Sequence, residues 1–367
     1  MKVKLGDLIE EYSERNIDNK YKPVAVGKYG IRARESIYSK ELAKDYSKNK
    51  LIYKGTLTIG MGSNQIDIGI LRDDEIYSVS PAYHTYNIKI SNYDYLDYLL
   101  TANNNRMFSI YANRGSRQGK TLDLKRWLTD ELRLHDEKDQ KIIVQTLNAV
   151  KQLISQKEAE LVKLDNLIKA RFVEMFNSET KRELLQNLSI GKSGYGAASA
   201  SVPYNPNRPR YIRITDINDD GTLNNDYVCS INKSDDGVFR LQKGDFLFAR
   251  MGATVGKTYY YRGGNQIFAG YLIRFKLDLE KILPEYLYAY TQTEEYLDWV
   301  KLNQSGAAQP GINAQKYSSL QIPIADIAEQ TEFVYFVKQI DKSKFAVQKS
   351  LEKTQLLFDS LMQEYFG

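Results

Sequence analysis

The stretch closest to a reaction motif is Gly252-Ala253-Thr254-Val255-Gly256-Lys257-Thr258. It approximates the glycine-rich loop that wraps a nucleotide phosphate in backbone N–H groups and sets a lysine on the outer phosphates. The spacing fails by one residue, because the pattern requires glycine at position 251 and Met251 stands there. No amphipathic helix follows to aim its N-terminus at a phosphate, so the stretch predicts a glycine hairpin shaped by Gly252 and Gly256. Metal and nucleophile chemistry are equally thin. A lone cysteine, Cys229, cannot form an internal disulfide, and two histidines, His84 and His135, are too few for a Cys/His zinc site. Neither histidine neighbours a serine or cysteine nucleophile, and no carboxylate pair with a nearby lysine suggests a metal-dependent nuclease.

Asn205-Pro206-Asn207-Arg208 is similar to the Asn/Asp-Pro-Pro-aromatic loop with which amino-methyltransferases hold an adenine amino group, but the second proline and the ring are missing. The absence of every local reaction signature favours binding over catalysis. What the chain does carry is arginine and amide side chains on glycine-rich or proline-rich stretches. The candidates are Arg32 and Arg34; Arg114, Arg117, Gln118 and Lys120; Arg208, Arg210 and Arg213; and Arg250, Thr254, Lys257 and Gln309. Such groups suit DNA: Arg bonds guanine in bidentate fashion, Asn and Gln bond adenine, and Lys, Ser, Thr and Tyr hold phosphates. Any one of them reads equally well as a solvated loop charge. Their division between two similar segments is the stronger signal.

Those loops need a frame, and the composition allows a large one. With 367 residues, 42 % hydrophobic and 26 % charged, the chain is long enough for two or three domains with cores of their own. A net charge of +5 permits a polyanionic partner without requiring one. The 28 tyrosines suit interfaces and stacking, or the filling of β-rich cores. No apolar run approaches the roughly 18 residues that span a bilayer, and MKVKLGDLIE lacks a signal-peptide core, so a cytoplasmic protein is expected.

The frame is written twice. From Asp136 to Phe176 and from Asp326 to Phe366 the sequence lacks Pro and Gly and superposes at a constant shift of 190 residues. Asp136 falls on Asp326, Asp139 on Glu329, Gln140 on Gln330, Leu161 on Leu351, Lys163 on Lys353, Leu167 on Leu357 and Phe176 on Phe366. The first two pairs predict matched N-terminal caps. Apolar residues then recur at 4-3-4-3 spacing. The first copy runs Ile143, Leu147, Val150, Ile154, Lys157, Leu161, Leu164, Ile168, Arg171 and Met175; the second runs Phe333, Val337, Ile340, Lys344, Val347, Leu351, Thr354, Phe358, Leu361 and Tyr365. These are coiled-coil seams. Each helix would be about 60 Å long at 1.5 Å per residue, and the simplest partner for one narrow stripe is the other.

The segments before the helices differ more but share punctuation. Lys54-Gly55-Thr56-Leu57-Thr58-Ile59 parallels Lys243-Gly244-Asp245-Phe246-Leu247-Phe248, a turn feeding an alternating strand, and Met61-Gly62 parallels Met251-Gly252. Asn113 through Gln118 likewise parallels Gln304 through Gln309. Each segment reads as mixed α/β, with short strands and helices near 92–104 and 284–300.

With these residues in view, the chain resembles the specificity subunits of type I restriction-modification systems over nearly its full length. The order matches: target recognition domain, conserved helix, second recognition domain, second conserved helix. Local matches are Leu5-Gly6-Asp7-Leu8-Ile9, Tyr211-Ile212-Arg213-Ile214-Thr215-Asp216-Ile217, Gly244-Asp245 running into Gly252-Ala253-Thr254-Val255-Gly256-Lys257, Ser305-Gly306 with Gln309 and Ile312-Asn313, and Ile322-Pro323-Ile324 before Glu329-Gln330. The first half departs by having Leu132-Arg133-Leu134-His135 in place of an Ile-Pro turn, and Ala325 stands where a second proline is frequent.

The resemblance implies a non-catalytic subunit whose two recognition domains each read one half of a split DNA target while the helix pair sets the gap. It also implies docking of two modification subunits, which methylate adenine N6 with S-adenosylmethionine, and of restriction subunits that use ATP; neither cofactor is expected on this chain. The expected fold is α+β: two mixed α/β target recognition domains, 1–135 and 178–325, separated by an antiparallel two-helix coiled coil, 136–177 and 326–367, with an internal pseudo-twofold repeat. The coil contacts would come from Ile143, Leu147, Val150, Ile154, Leu161, Leu164, Ile168, Val337, Ile340, Val347, Leu351, Phe358 and Leu361. A different class remains open, a coiled-coil structural adaptor that never touches DNA.

Overall fold

The computed structural model describes residues 1–36, 45–114, 120–176, 180–231, 237–305 and 310–367. Its longest elements are the helices Glu137–Met175 and Ile327–Phe366. Both start as the matched acids predict: Asp136 Oδ1 accepts from the Asp139 N–H and Asp326 Oδ1 from the Glu329 N–H, each at 2.8 Å. Each cap satisfies one of the orphan donors of a first turn. The pair Gln140 and Gln330 repeats as well. Both are buried, and their Nε2 atoms donate to His135 O and Ala325 O, each at 2.9 Å, fastening the helix to the chain that enters it.

Two compact units form, Met1–Lys157 with Ser350–Gly367, and Glu158–Lys349, so each long helix serves both. In the first unit Ile143, Val144 and Leu147, near the start of one helix, share a core with Phe358, Leu361, Met362, Tyr365 and Phe366, at the end of the other. In the second unit Ile168, Phe172, Met175 and Phe176 share a core with Phe333, Phe336 and Val337. Start meets end in each unit, so the helices pair antiparallel. Every seam position named above is buried or half-buried, while Ile142, Leu153, Val162, Phe345 and Leu356 lie exposed off the stripe. That is the pattern of a two-helix coil covering one face only. The seam lysine Lys344 is accommodated by Asp165, 2.5 Å away.

The segments ahead of the helices fold into sheets with the same order. In the first unit the strands Ile9–Tyr12, His84–Ile88, Thr56–Met61 and Ile66–Ile70 lie side by side, all antiparallel. In the second, Gly194–Tyr195, Leu272–Lys276, Asp245–Ala249 and Thr258–Tyr260 do so in corresponding places. A glycine at positive φ introduces each central strand, Gly55 at 81° and Gly244 at 90°, where a side chain would be strained. The alternation read in these strands divides residues between two faces, yet Thr56–Gly60 and Asp245–Ala249 are buried throughout. Phe246 and Phe248 enter the core beside the helices, and Leu247 enters another core with Ile212 and Phe268 of the adjoining sheet.

A second four-stranded sheet with one parallel pair also occurs in each unit but in a different order: Pro23–Gly27 beside Tyr77–Val79 in the middle of the first, and Arg210–Ile212 beside Gln266–Phe268 at the edge of the second. A short antiparallel ladder then ties the start of each unit to its end, Lys2–Lys4 to Glu131–Arg133 and Arg182–Leu184 to Gln321–Pro323. The missing Ile-Pro turn of the first half therefore leaves its ladder intact. One element differs in kind. The helix Tyr93–Tyr111 is continuous, whereas its counterpart is split into Pro284–Tyr290 and Glu294–Asn303, with Thr293 Oγ1 accepting from the Tyr296 N–H to start the second piece.

Candidate nucleic-acid interface

In the first unit the strand Gly30–Ala33 carries Arg32 outward, its guanidinium 5.3 Å from the centre of the exposed Tyr29 ring. The turn Arg34–Ser36 then sends Arg34 elsewhere. Arg34 lines a cleft of about 520 Å³ with Met61, Tyr83, His84, Lys120 and Thr121, and its guanidinium sits 5.6 Å from the Tyr46 ring. Lys120 reaches that cleft from the hairpin Ala112–Arg114/Lys120–Leu122, held by Ser63 O at 2.6 Å and by the Phe108 ring at 4.6 Å. Arg34 and Lys120 therefore converge on one cleft. Arg32 lines a different cavity, beside Arg72, Asp94 and Asp97. Arg114 is placed by its backbone alone, and Arg117, Gln118 and, in the second unit, Gln309 lie outside the described residues.

In the second unit two predicted arginines, Arg210 and Arg213, gather on the loop 224–227. Arg210 donates to Asn225 Oδ1 at 2.8 Å and to Asn224 O; Arg213 donates to Tyr227 O at 3.0 Å and, through Nη2, to Asp216 Oδ1 at 2.7 Å. The hydrogen bonds Arg213 donates to Asp216 raise the Arg213 pKa above its ordinary value. Asp216 is itself buried, so this pair is part of the architecture, and removing either partner would strand the other. Arg208 is exposed, with one long bond to Ile231 O at 3.4 Å. Lys257 is drawn to Asp219 at 2.7 Å.

Arg250 stands apart from that group. Its guanidinium lies over the Tyr195 ring at 4.7 Å, and its backbone N–H donates to Tyr271 O at 3.0 Å. Thr254 Oγ1 donates to Met251 O at 3.3 Å. The turn between Arg250 and Lys257 is not built as a phosphate loop, because four of its amides are already used. The N–H groups of Gly252, Val255, Gly256 and Lys257 donate to Pro310 O, Gly252 O, Ala249 O and Thr254 O, and a strand follows, not a helix. A turn with those four donors spent on its own chain and no helix behind it lacks the cradle of a phosphate loop. Gly256, at φ 89°, is required on a second count: a Cβ there would meet Val300 Cγ1 at 2.8 Å.

Sequence reasoning missed the aromatic side chains of these surfaces. Tyr195 and Tyr271 are half-exposed beside Arg250, and Tyr83 closes over Gly60, where a Cβ would lie 2.5 Å from its ring. The signal was a tyrosine flanked by glycine, Gly194-Tyr195-Gly196 and Gly270-Tyr271. Among the described residues no helix is long and apolar enough to cross a membrane, and no group of three or more His, Cys, Asp or Glu is placed to hold a metal ion.

The family model described as type I restriction modification DNA specificity domain matches residues 173–356, half of the chain. Among solved structures the chain is similar to the type I restriction-modification system S subunit from M. genitalium, with TM-score 0.53 and 13 % identity, over 100 % of this chain and 96 % of that one. It is also similar to a chain from a structure titled for complex assembly and conformational transition of the type I R-M system, with TM-score 0.58 and 15 % identity, over 99 % and 96 %. Comparison with curated proteins finds no match. A fold shared along its whole length and a specificity-domain match over half of it lead to one conclusion: the chain belongs to the type I restriction-modification DNA specificity family, whose members supply sequence specificity and not catalysis.

Proposed function

We propose that the chain reads a bipartite double-stranded DNA target for a type I restriction-modification complex. The observation that carries this reading is the duplicated order of the sheet beside the helices behind unlike surfaces: one scaffold twice, with Arg34, His84 and Lys120 at a cleft in the first unit and Tyr195, Arg250 and Tyr271 on the surface of the second. Two similar frames with dissimilar contacts suit two different half-sites. The recognition domains are 1–135 and 178–325, and the helices 136–177 and 326–367 set the gap between half-sites. A fixed spacer has a physical purpose, since successive major-groove faces repeat about every 34 Å and a second contact strengthens binding only when the geometry can reach it. The DNA-facing set comprises Arg32, Arg34, Arg114, Arg117, Gln118 and Lys120 in the first domain, and Arg208, Arg250, Thr254 and Gln309 in the second, while Arg210, Arg213 and Lys257, expected in the same set, are tied to Asn224, Asp216 and Asp219 and shape the surface around it.

In this reading two modification subunits and the restriction subunits dock on the outer faces of the helices. Those partners supply S-adenosylmethionine for adenine N6 methylation and ATP for translocation, in the cytoplasm. Footprinting with the modification partner present tests the proposal. Two short protected patches separated by a gap are expected, whereas an intact complex that protects no DNA leaves only an adaptor role. Methylome sequencing of the host with and without the chain would then display the split motif.

A further inference from the structure

The second unit presents, at the end of a central strand, an arginine that is braced without being neutralised. We propose that Arg250 reads a guanine in the half-site of the second unit and that Tyr195 is the positioning residue that aims it, an inference that rests on the DNA-reading role proposed above. Arg250 follows the strand Asp245–Ala249, and its backbone is pinned twice: its N–H donates to Tyr271 O at 3.0 Å and its carbonyl accepts from the Ile312 N–H at 2.9 Å. From that anchored Cα the guanidinium extends over the Tyr195 ring, 4.7 Å from its centre. Tyr195 is held in turn, pairing with Ile273 in the sheet and accepting from the Ala314 N–H at 3.4 Å.

Gly196 lets this brace form, since a Cβ there would lie 2.3 Å from Ala269 O. Among the described residues no carboxylate lies within ion-pair distance of Arg250, in contrast to Arg213 on Asp216 and Lys257 on Asp219. A guanidinium supported through its face keeps its N–H edge for a planar acceptor pair, and the O6 and N7 atoms of guanine are that pair in the major groove. The equivalent strand end in the first unit gives the contrast. The ladders shift the expected match of Met61 with Met251 by one residue: with Leu57 and Ile59 matching Phe246 and Phe248, Met61 falls on Arg250, and a thioether has no donor to offer.

The test uses the assembled complex with its modification subunits, methylating a DNA library randomised in both half-sites and read by sequencing. Arg250→Lys keeps the charge and removes the fork; it is expected to lower discrimination at one guanine of one half-site by about tenfold or more, with the other half-site unchanged. Tyr195→Ala should loosen the same position by a smaller factor, and Tyr195→Phe, which keeps the ring, should restore it. Thermal unfolding of each variant separates misfolding from misreading. Unchanged discrimination in a methylating R250K complex overturns the guanine contact, and Y195F behaving like Y195A overturns the positioning role. A wild-type complex that methylates without sequence preference overturns the broader reading, and this inference with it, before any variant is made.

Discussion

The two units share the strand order of the sheet beside the helices, a parallel pair, the closing ladder and the helix cap, and differ in what they place around the shared frame. The first unit ends its central strand in Met61, beside an open cleft; the second continues from its central strand into Arg250, over a tyrosine. Their cores differ as well. Phe333 meets Phe172, Phe176, Tyr286 and Phe336 in the second unit, whereas Phe366 meets Tyr95, His135 and Tyr365 in the first. The difference teaches which parts a duplicated frame must keep. Local caps and ladders are retained because they satisfy backbone donors in either context, while side chains at strand ends are free to diverge.

The sharpest break in the comparison should come from the cores. Phe333→Ala removes a fully buried ring from an aromatic cluster and is expected to cost about 3–5 kcal/mol. Phe366→Ala, whose ring is slightly less buried than that of Phe333, should sit at the lower edge of that range. Hydrogen exchange resolved by segment would show each loss in its own unit; equal losses in both units would remove the distinction.

Next come two ion pairs of similar make and different depth. Asp130 accepts from Arg106 at 2.6 and 2.9 Å and from Tyr111 at 2.6 Å, and is buried; Glu295 accepts from Arg182 and from Tyr290 at 3.0 Å, half-exposed. Burial pushes the Asp130 carboxyl up, but Arg106 and Tyr111 outweigh it and hold the group below its ordinary value; Arg182 does the same for Glu295. Because both folded values are depressed, this stabilisation is present above the ordinary carboxylate range and is lost as pH falls through the folded values. Asp130→Asn should cost about 2 kcal/mol at neutral pH and Glu295→Gln under about 1 kcal/mol. Acid titration of stability should show a larger drop in the first unit, and that excess should vanish in the Asp130→Asn variant.

The smallest effects separate architecture from contact. Arg213→Ala is expected to lower stability, through the stranded Asp216, more than it alters sequence preference. Lys120→Ala should weaken all sequences alike and reduce the salt slope of binding by about one. A change of motif with Lys120→Ala, measured by binding to a randomised library, would instead make that cleft a base-reading site.

The helical half of the fold was legible because its causes are local. A 4-3-4-3 stripe, an acid three residues before another acid and a repeated glutamine each act within a few residues, and Gln140 and Gln330 fulfil the same role 190 positions apart. The false phosphate loop was legible too, from one missing glycine. The interface was less so: Arg213 and Arg250 look alike as sequence, and only their neighbours across the sheet distinguish them.

What the sequence determined by itself is therefore the duplicated, capped helices with their seam, since periodicity and capping depend on residues close along the chain. The tertiary structure alone decided how both helices are shared between two units, the strand order, and which cations are spent on Asp216, Asp219 or Asn224 and which is left braced on Tyr195. Those outcomes depend on pairings between strands far apart in the chain, whose register no local pattern encodes.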